Sequence, residues 1–307
     1  MIEVEHLTKK YGDLVAVNDL SFKVDKGKIW GLLGPNAAGK TTTMRILTGY
    51  LPANEGKANV AGFDVFEQPN EVKKNIGYLP ENLPLYPEMT FHSFLSFTAE
   101  IKQIPAAEKK KAVEKAIDIS GLKTVKGRLI KNISRGFKQR VGIAQALIHD
   151  PQVLILDEPT IGLDPAQIVE IRQLIKSLKK KRTILISTHI LAEVTQTCDG
   201  VVIINEGQLM ASGSLEDLTA SFRKKDGIII KIKDTKKGIP LLKEISGVEK
   251  VTRKDSEINI EWSQDKDLRD EVSKTIVRND LGLIEMRPLA MNIEDMYLKV
   301  ISGGVEQ

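Results

Sequence analysis

One stretch constrains this 307-residue chain more than any other: Gly34-Pro35-Asn36-Ala37-Ala38-Gly39-Lys40-Thr41. It fits G-x-x-x-x-G-K-[ST] and stands where that pattern has a physical use. The apolar run Lys28–Leu33 before it reads as a strand, and the spacing from Gly39 to Leu47 reads as a helix stopped by Gly49 and Pro52. A strand that enters a helix through such a loop aims backbone N–H groups and the positive end of the helix dipole at an anion. Lys40 would then neutralise β/γ-phosphate charge. The Thr41 hydroxyl would be a Mg²⁺ ligand, and Thr42 is placed to meet the α-phosphate. The loop predicts a nucleotide site in an α/β chain.

The surrounding pattern agrees. Leu20–Val24 and Gly56–Gly62 read as strands, as does Ile76–Leu79. Three helical stretches follow, Phe91–Ile104, Ala106–Ile119 and Ser134–Ile148, and they suggest an inserted helical subdomain over about 91–149. Beyond it the chain alternates: strand Val153–Leu156, helix Pro165–Lys179, strand Thr183–Ser187, helix His189–Thr197, strand Val201–Ile204. Apolar strands alternating with amphipathic helices predict a largely parallel sheet covered on both faces. Residues 222–307 change character. Ile228–Ile232, Ile258–Trp262 and Leu283–Met286 read as strands, Leu268–Arg278 and Ile293–Val300 as helices, which suggests a small α+β domain.

Val153-Leu154-Ile155-Leu156-Asp157-Glu158 supplies a second half for the site. A core strand releases two carboxylates at its C-terminal end, where parallel sheets carry ligands. Asp157 is suited to hold Mg²⁺, and Glu158, one residue on, is placed to polarise an attacking water.

Composition narrows the function class. The net charge of +4 is small and evenly spread, so it carries no case for nucleic acid. The runs Lys109–Lys111 and Lys179–Arg182 read as a solvated face and a helix C-terminus. The single cysteine, Cys198, excludes a disulfide framework. With no signal-peptide pattern at the start and no apolar run of roughly 18 residues, the expectation is a cytoplasmic chain whose work at a membrane needs a partner.

Together these residues resemble the ATP-binding subunits of ATP-binding cassette (ABC) transporters, across essentially residues 1–220. Ile133-Ser134-Arg135-Gly136-Phe137-Lys138-Gln139-Arg140 resembles the family signature, and Pro159-Thr160-Ile161-Gly162-Leu163-Asp164 its D-loop. His189 resembles the switch histidine, Ile76–Glu81 the coupling loop, and Tyr11 the aromatic that stacks on adenine. The resemblance implies an α/β P-loop NTPase of the ABC ATPase type with a helical subdomain, over residues 1–221, and a C-terminal α+β accessory domain at 222–307. It implies ATP and Mg²⁺ as cofactors, Glu158 and His189 as catalytic residues, and Thr41, Glu81 and Asp157 as metal ligands. Nucleotide contacts would come from Tyr11, from Gly34, Pro35, Asn36, Ala37, Ala38, Gly39, Lys40, Thr41 and Thr42, and from Ser134 and Gly136. The last two serve the facing subunit's nucleotide, so the active form would be a homodimer or heterodimer. Its partner would be a membrane permease subunit, on whose cytoplasmic face it would sit.

The branch resembled is export-type, judged by Glu81-Asn82-Leu83-Pro84-Leu85-Tyr86 and by Ile293-Glu294-Asp295-Met296-Tyr297-Leu298. Four positions depart from the family pattern: Ala37 and Arg135 replace glycines, Glu81 a glutamine, Ile161 a serine. A methyl at Ala37 matters only if φ is positive there, where it costs on the order of 1–2 kcal/mol. Arg135 could touch nucleotide or point to solvent. The competing function class is a soluble cassette ATPase that remodels nucleic acid, ribosomes or a protein assembly.

Overall fold

The computed structural model of the chain describes residues 1–125, 127–221, 226–263, 267–289 and 297–298. They fall into two units, Met1–Leu215 and Glu216–Gln307.

The first unit opens with the hairpin β1 (Ile2–Tyr11) and β2 (Leu14–Val24), followed by β3 (Ile29–Leu33) and α1 (Lys40–Leu47). Next come β4 (Glu55–Val60), β5 (Phe63–Asp64), α2 (Pro69–Asn75) and β6 (Ile76–Leu79). Helices α3 (Phe91–Ile101), α4 (Ala106–Ile119) and α5 (Arg135–Leu147) form the insert. The chain then alternates through β7 (Val153–Asp157), α6 (Pro165–Leu178), β8 (Thr183–Thr188), α7 (Leu191–Thr197) and β9 (Gly200–Asn205). It continues into β10 (Gln208–Ser214), and α8 (Leu215–Ser221) begins at the last residue of this unit.

Two sheets result. One is antiparallel, in the order β2-β1-β4-β5; the other runs β10-β9-β3-β8-β7-β6. In the second sheet only β10 is antiparallel to its neighbour. The difference follows from the sequence. β3, β7 and β8 are buried at every position, as suits strands covered on both faces, whereas β1 and β2 mix buried with exposed residues. The six-stranded sheet is the largely parallel one expected from the sequence, and the strands read at Leu20–Val24 and Gly56–Gly62 fall in the separate antiparallel sheet.

Register places the chemistry. Leu33 of β3 lies opposite Thr188 of β8, Asp157 of β7 opposite Ser187, and Leu79 of β6 opposite Leu156. The loops after β3, β6, β7 and β8 therefore leave the sheet on one level, at its carboxyl edge. Leu154, Leu156, Ile184 and Ile186 anchor that edge against Ile171 and Ile175 of α6. Truncating a buried leucine there costs about 2–5 kcal/mol. The insert has its own apolar centre, in which Phe91, Phe94 and Leu95 of α3 meet Val113 and Ile117 of α4 and Val141 of α5.

The second unit contains β11 (Asp226–Ile232), α9 (Thr235–Lys243), β12 (Val248–Lys254), β13 (Glu257–Trp262), α10 (Arg269–Arg278) and β14 (Leu283–Pro288). Its sheet is antiparallel with the order β12-β13-β11-β14, a split β-α-β arrangement. Alternate residues Ile228, Ile230 and Ile232 pack with Ile258, Ile260 and Trp262 against Leu242, Val272 and Ile276 of the helices. The helix expected over Ile293–Val300 lies largely outside the described residues.

Candidate functional site

The loop after β3 is shaped by two left-handed residues. Gly39 has φ 98, and a Cβ there would lie 2.5 Å from the Ala16 carbonyl of β2, so only glycine fits. Ala37 has φ 65. Its methyl therefore carries the left-handed penalty of roughly 1–2 kcal/mol that the sequence left conditional. Lys40 is buried, and its ammonium donates to the carbonyls of Gly34 and Pro35 at 2.8 and 2.9 Å. Pro35 is half-buried and Asn36 and Ala37 exposed, while Gly34 and Ala38 are buried. Thr41 and Thr42 are half-buried in the first turn of α1.

β7 delivers Asp157, a residue only 1% exposed, and the chain turns at Glu158 with φ 47. One hydroxyl orients both. Ser187 Oγ donates to Asp157 Oδ1 at 2.5 Å and accepts from the Glu158 N–H at 2.9 Å. Thr41 Oγ1 donates to the same Asp157 oxygen at 3.4 Å. Asp157 Oδ2, by contrast, is buried with no hydrogen-bond partner among the described residues. A buried carboxylate oxygen left open costs free energy unless something occupies it. A hydroxyl, one carboxylate and substrate phosphates are the donor set Mg²⁺ accepts, so the residues fit that ion. Among the described residues no cluster of three or more His, Cys, Asp or Glu would hold a metal without substrate.

His189 follows β8 and precedes α7, a small correction to the helix expected to begin at His189. Its Nδ1 lies 3.2 and 3.1 Å from the two Glu158 oxygens, and the Lys40 ammonium lies 3.7 Å from Glu158 Oε1. Burial raises the Glu158 carboxyl above its ordinary range, against the lowering effects of His189 and Lys40. Burial also raises Asp157, against the hydrogen bonds from Ser187 and Thr41, with the Glu81 charge adding to the rise.

Glu81 lines a cavity of about 700 Å³ that reaches Asp157 and is walled by Arg45, Tyr78 and Gln145. Burial and the Asp157 charge push the Tyr78 phenol up to about 12. A larger opening of about 1180 Å³ runs between α2 and α4, away from the Lys40 cluster.

The structure thus brings Lys40, Thr41, Asp157, Glu158 and His189 together, with Glu81 at the cavity leading to them. Ser134, Gly136 and Tyr11 make their described contacts with other residues. Ser134 caps α5, its Oγ accepting from Phe137 N at 3.3 Å, and Gly136 is packed on Gln167. Among the described residues no hydrogen bond or ion pair joins either one to the Lys40 cluster. Tyr11 is 44% exposed at the end of β1 with the Lys9 ammonium 5.4 Å above its ring, so it is no core aromatic. Arg135 is exposed, in keeping with one of its two expected fates, and a Cβ on Gly162 would touch its guanidinium at 2.3 Å. Ile161 keeps the turn through its backbone, donating to the Glu158 carbonyl at 3.2 Å. The sequence assigns no site role to Ser187 or Glu193 and gives Thr160 only a place in the turn resembling the D-loop. A hydroxyl interrupting the apolar run Ile184-Leu185-Ile186 was the available signal.

A glycine-shaped loop, a buried lysine and two strand-end carboxylates at the carboxyl edge of a parallel sheet define a P-loop nucleoside triphosphatase. The chain belongs to the ABC transporter family as one of its ATP-binding subunits, and is an ATPase. Residues 17–161 match that family, described as ABC transporter. The chain is 36% identical over 314 residues to the bacitracin transport ATP-binding protein BcrA of Bacillus licheniformis, covering 99% of this chain and 98% of that one. It is 35% identical to the linearmycin resistance ATP-binding protein LnrL of Bacillus subtilis, over 71% of this chain and 70% of that one. A solved ATP-binding subunit of an ABC transporter superposes with TM-score 0.65 at 31% identity, over 72% of this chain and 93% of that one. Among the described residues no helix is long and apolar enough to cross a membrane.

Proposed function

We propose that this chain drives an exporter, converting ATP hydrolysis into movement of a separate membrane permease. The observation that carries the reading is the convergence of Lys40, Asp157, Glu158 and His189 at one edge of the sheet. The names of the relatives, one for bacitracin transport and one for linearmycin resistance, support export of an antibiotic-like or drug-like compound.

In this reading the backbone from Gly34 to Thr42 cradles the phosphates and Tyr11 stacks on the adenine. Lys40 leaves its own carbonyls for the β/γ-phosphates. Thr41 and Asp157, with Glu81 in reach, would hold Mg²⁺, which when bound neutralises charge on the β- and γ-oxygens. Glu158 orients a water and accepts its proton at a carboxylate oxygen. The water oxygen bonds the γ-phosphorus as the bond to the β-phosphate oxygen breaks, leaving ADP and phosphate. His189 donates a hydrogen bond to the γ-phosphate. Ser134 and Gly136 complete the site of a facing subunit, as the family resemblance implies; Ser134 Oγ in this chain caps α5, which supports that reading. ATP therefore closes a dimer and hydrolysis reopens it.

Residues 1–221 would serve as the nucleotide-binding domain, at the cytoplasmic face of the membrane through the permease. Residues 222–307 would form an accessory domain that helps hold the dimer. A chain ended at residue 221 that dimerises undiminished would count against that role. The transport reading is tested by affinity purification of the tagged chain from gently solubilised native membranes. A polytopic membrane protein in stoichiometric amount is expected; a soluble assembly or nucleic acid in its place would overturn transport and leave the ATPase standing.

A further inference from the structure

A buried carboxylate outside the hydrolytic cluster connects two segments that flank it. Glu193 lies in the first turn of α7 and is 5% exposed. Its Oε1 accepts from Thr160 Oγ1, and its Oε2 accepts from Thr188 Oγ1 at 2.6 Å. Thr188 Oγ1 also accepts from the Ile190 N–H at 3.0 Å. Both threonines are buried. Thr160 stands in the turn after Glu158, and Thr188 and Ile190 bracket His189.

The arrangement is specific in a way a helix-end acid need not be. A carboxylate that merely satisfied the start of α7 would accept from backbone N–H groups there. Here each oxygen is committed to a side-chain hydroxyl on a different segment, Thr160 in the turn after Glu158 and Thr188 at the end of β8. Burying a carboxylate is unfavourable unless it is hydrogen-bonded, and hydroxyl-to-carboxylate bonds are among the stronger ones. The two segments are thus held at a fixed spacing across the pair Glu158–His189, whose contacts span 3.1–3.2 Å.

We propose that Glu193 is a positioning residue for hydrolysis: it locks the Thr160 turn to the Thr188–Ile190 segment and so keeps His189 in register with Glu158. This rests on the roles given above to Glu158 and His189. Among the described residues no hydrogen bond or ion pair joins Glu193 to the Gly34–Thr41 loop, so its loss acts on turnover and leaves nucleotide binding alone.

The test uses the purified full chain with Mg-ATP and a non-hydrolysable ATP analogue. Glu193→Ala should lower kcat about tenfold or more while the analogue's Kd stays within about twofold. Thr160→Val should do the same more mildly, and should carry the test if Glu193→Ala does not fold. The double variant should be no slower than Glu193→Ala alone, since both remove one bridge. Glu193→Gln, which can accept from one hydroxyl and donate to the other, should recover most of the rate. Unchanged kcat in Glu193→Ala and Thr160→Val, affinity falling in step with kcat, or fully multiplicative effects would each overturn the proposal. Glu158→Gln run alongside separates the two ideas. If it hydrolyses ATP at the wild-type rate, the underlying assignment fails; if it is inactive while Glu193→Ala is not, only the positioning role fails.

Discussion

The Lys40 ammonium lies 3.7 Å from the Glu158 carboxylate, both side chains under a tenth exposed, while it donates to the carbonyls of its own loop. The group proposed for the γ-phosphate and the group proposed for the attacking water are thus ion-pair partners. In the proposed reading phosphate would draw Lys40 from these partners and leave Glu158 to His189 and water.

Lys40→Ala should therefore weaken Mg-ATP binding about 10–100-fold, the worth of a charge-assisted contact of roughly 1.5–3 kcal/mol. Titration calorimetry reads this directly. Affinity equal to that of the wild type would mean the ammonium does not reach the phosphates.

Ala37 and Gly39 give opposite predictions from the same backbone region. Ala37→Gly removes a methyl from a residue at φ 65 and should stabilise the chain by about 0.5–1 kcal/mol after the extra unfolded-state entropy of glycine. Gly39→Ala places a methyl 2.5 Å from the Ala16 carbonyl at φ 98, and should lose nucleotide binding with a lower Tm. Thermal melts with and without ATP distinguish the pair; a destabilised Ala37→Gly would contradict the strain argument.

Burial raises the Asp157 and Glu158 carboxyls above their ordinary values of 3.8 and 4.5. Between those values and the raised ones the folded chain binds more protons than the unfolded chain. Their contribution to stability is therefore greatest below the window and falls as pH rises through it. Asp150, lowered chiefly by the hydrogen bond from Lys115, works in the opposite sense, so the comparison needs a matched variant. Asp157→Asn/Glu158→Gln should gain stability relative to wild type as pH climbs from about 4 to 7 in urea titrations. A constant difference across that range would argue that neither group is shifted.

Much of this was legible in sequence because the phosphate loop, the Asp157–Glu158 strand end and the buried strands each carry a strong local signature. Helix α4 is bounded at Ala106 and Ile119 in both readings, since its apolar face repeats cleanly. What stayed hidden depends on pairing or on three-dimensional neighbours. β10, Gln208–Ser214, has little apolar alternation and exists by pairing with β9. α2 is seven residues with only Val72 buried, too little for a periodic signal. The contact of Arg135 with Gly162 and the bridge from Glu193 to Thr160 join residues far apart in the chain, and no spacing rule announces either one.

Glu158→Gln tests the central claim most directly. The variant should keep its fold and bind ATP, with hydrolysis reduced by about 10²–10⁴-fold, the usual contribution of a positioned general base. Light scattering with Mg-ATP should then find a dimer of twice the chain mass, and a monomer once ATP is withdrawn. A Glu158→Gln chain that hydrolyses ATP at the wild-type rate, or stays monomeric with ATP bound, would contradict the account.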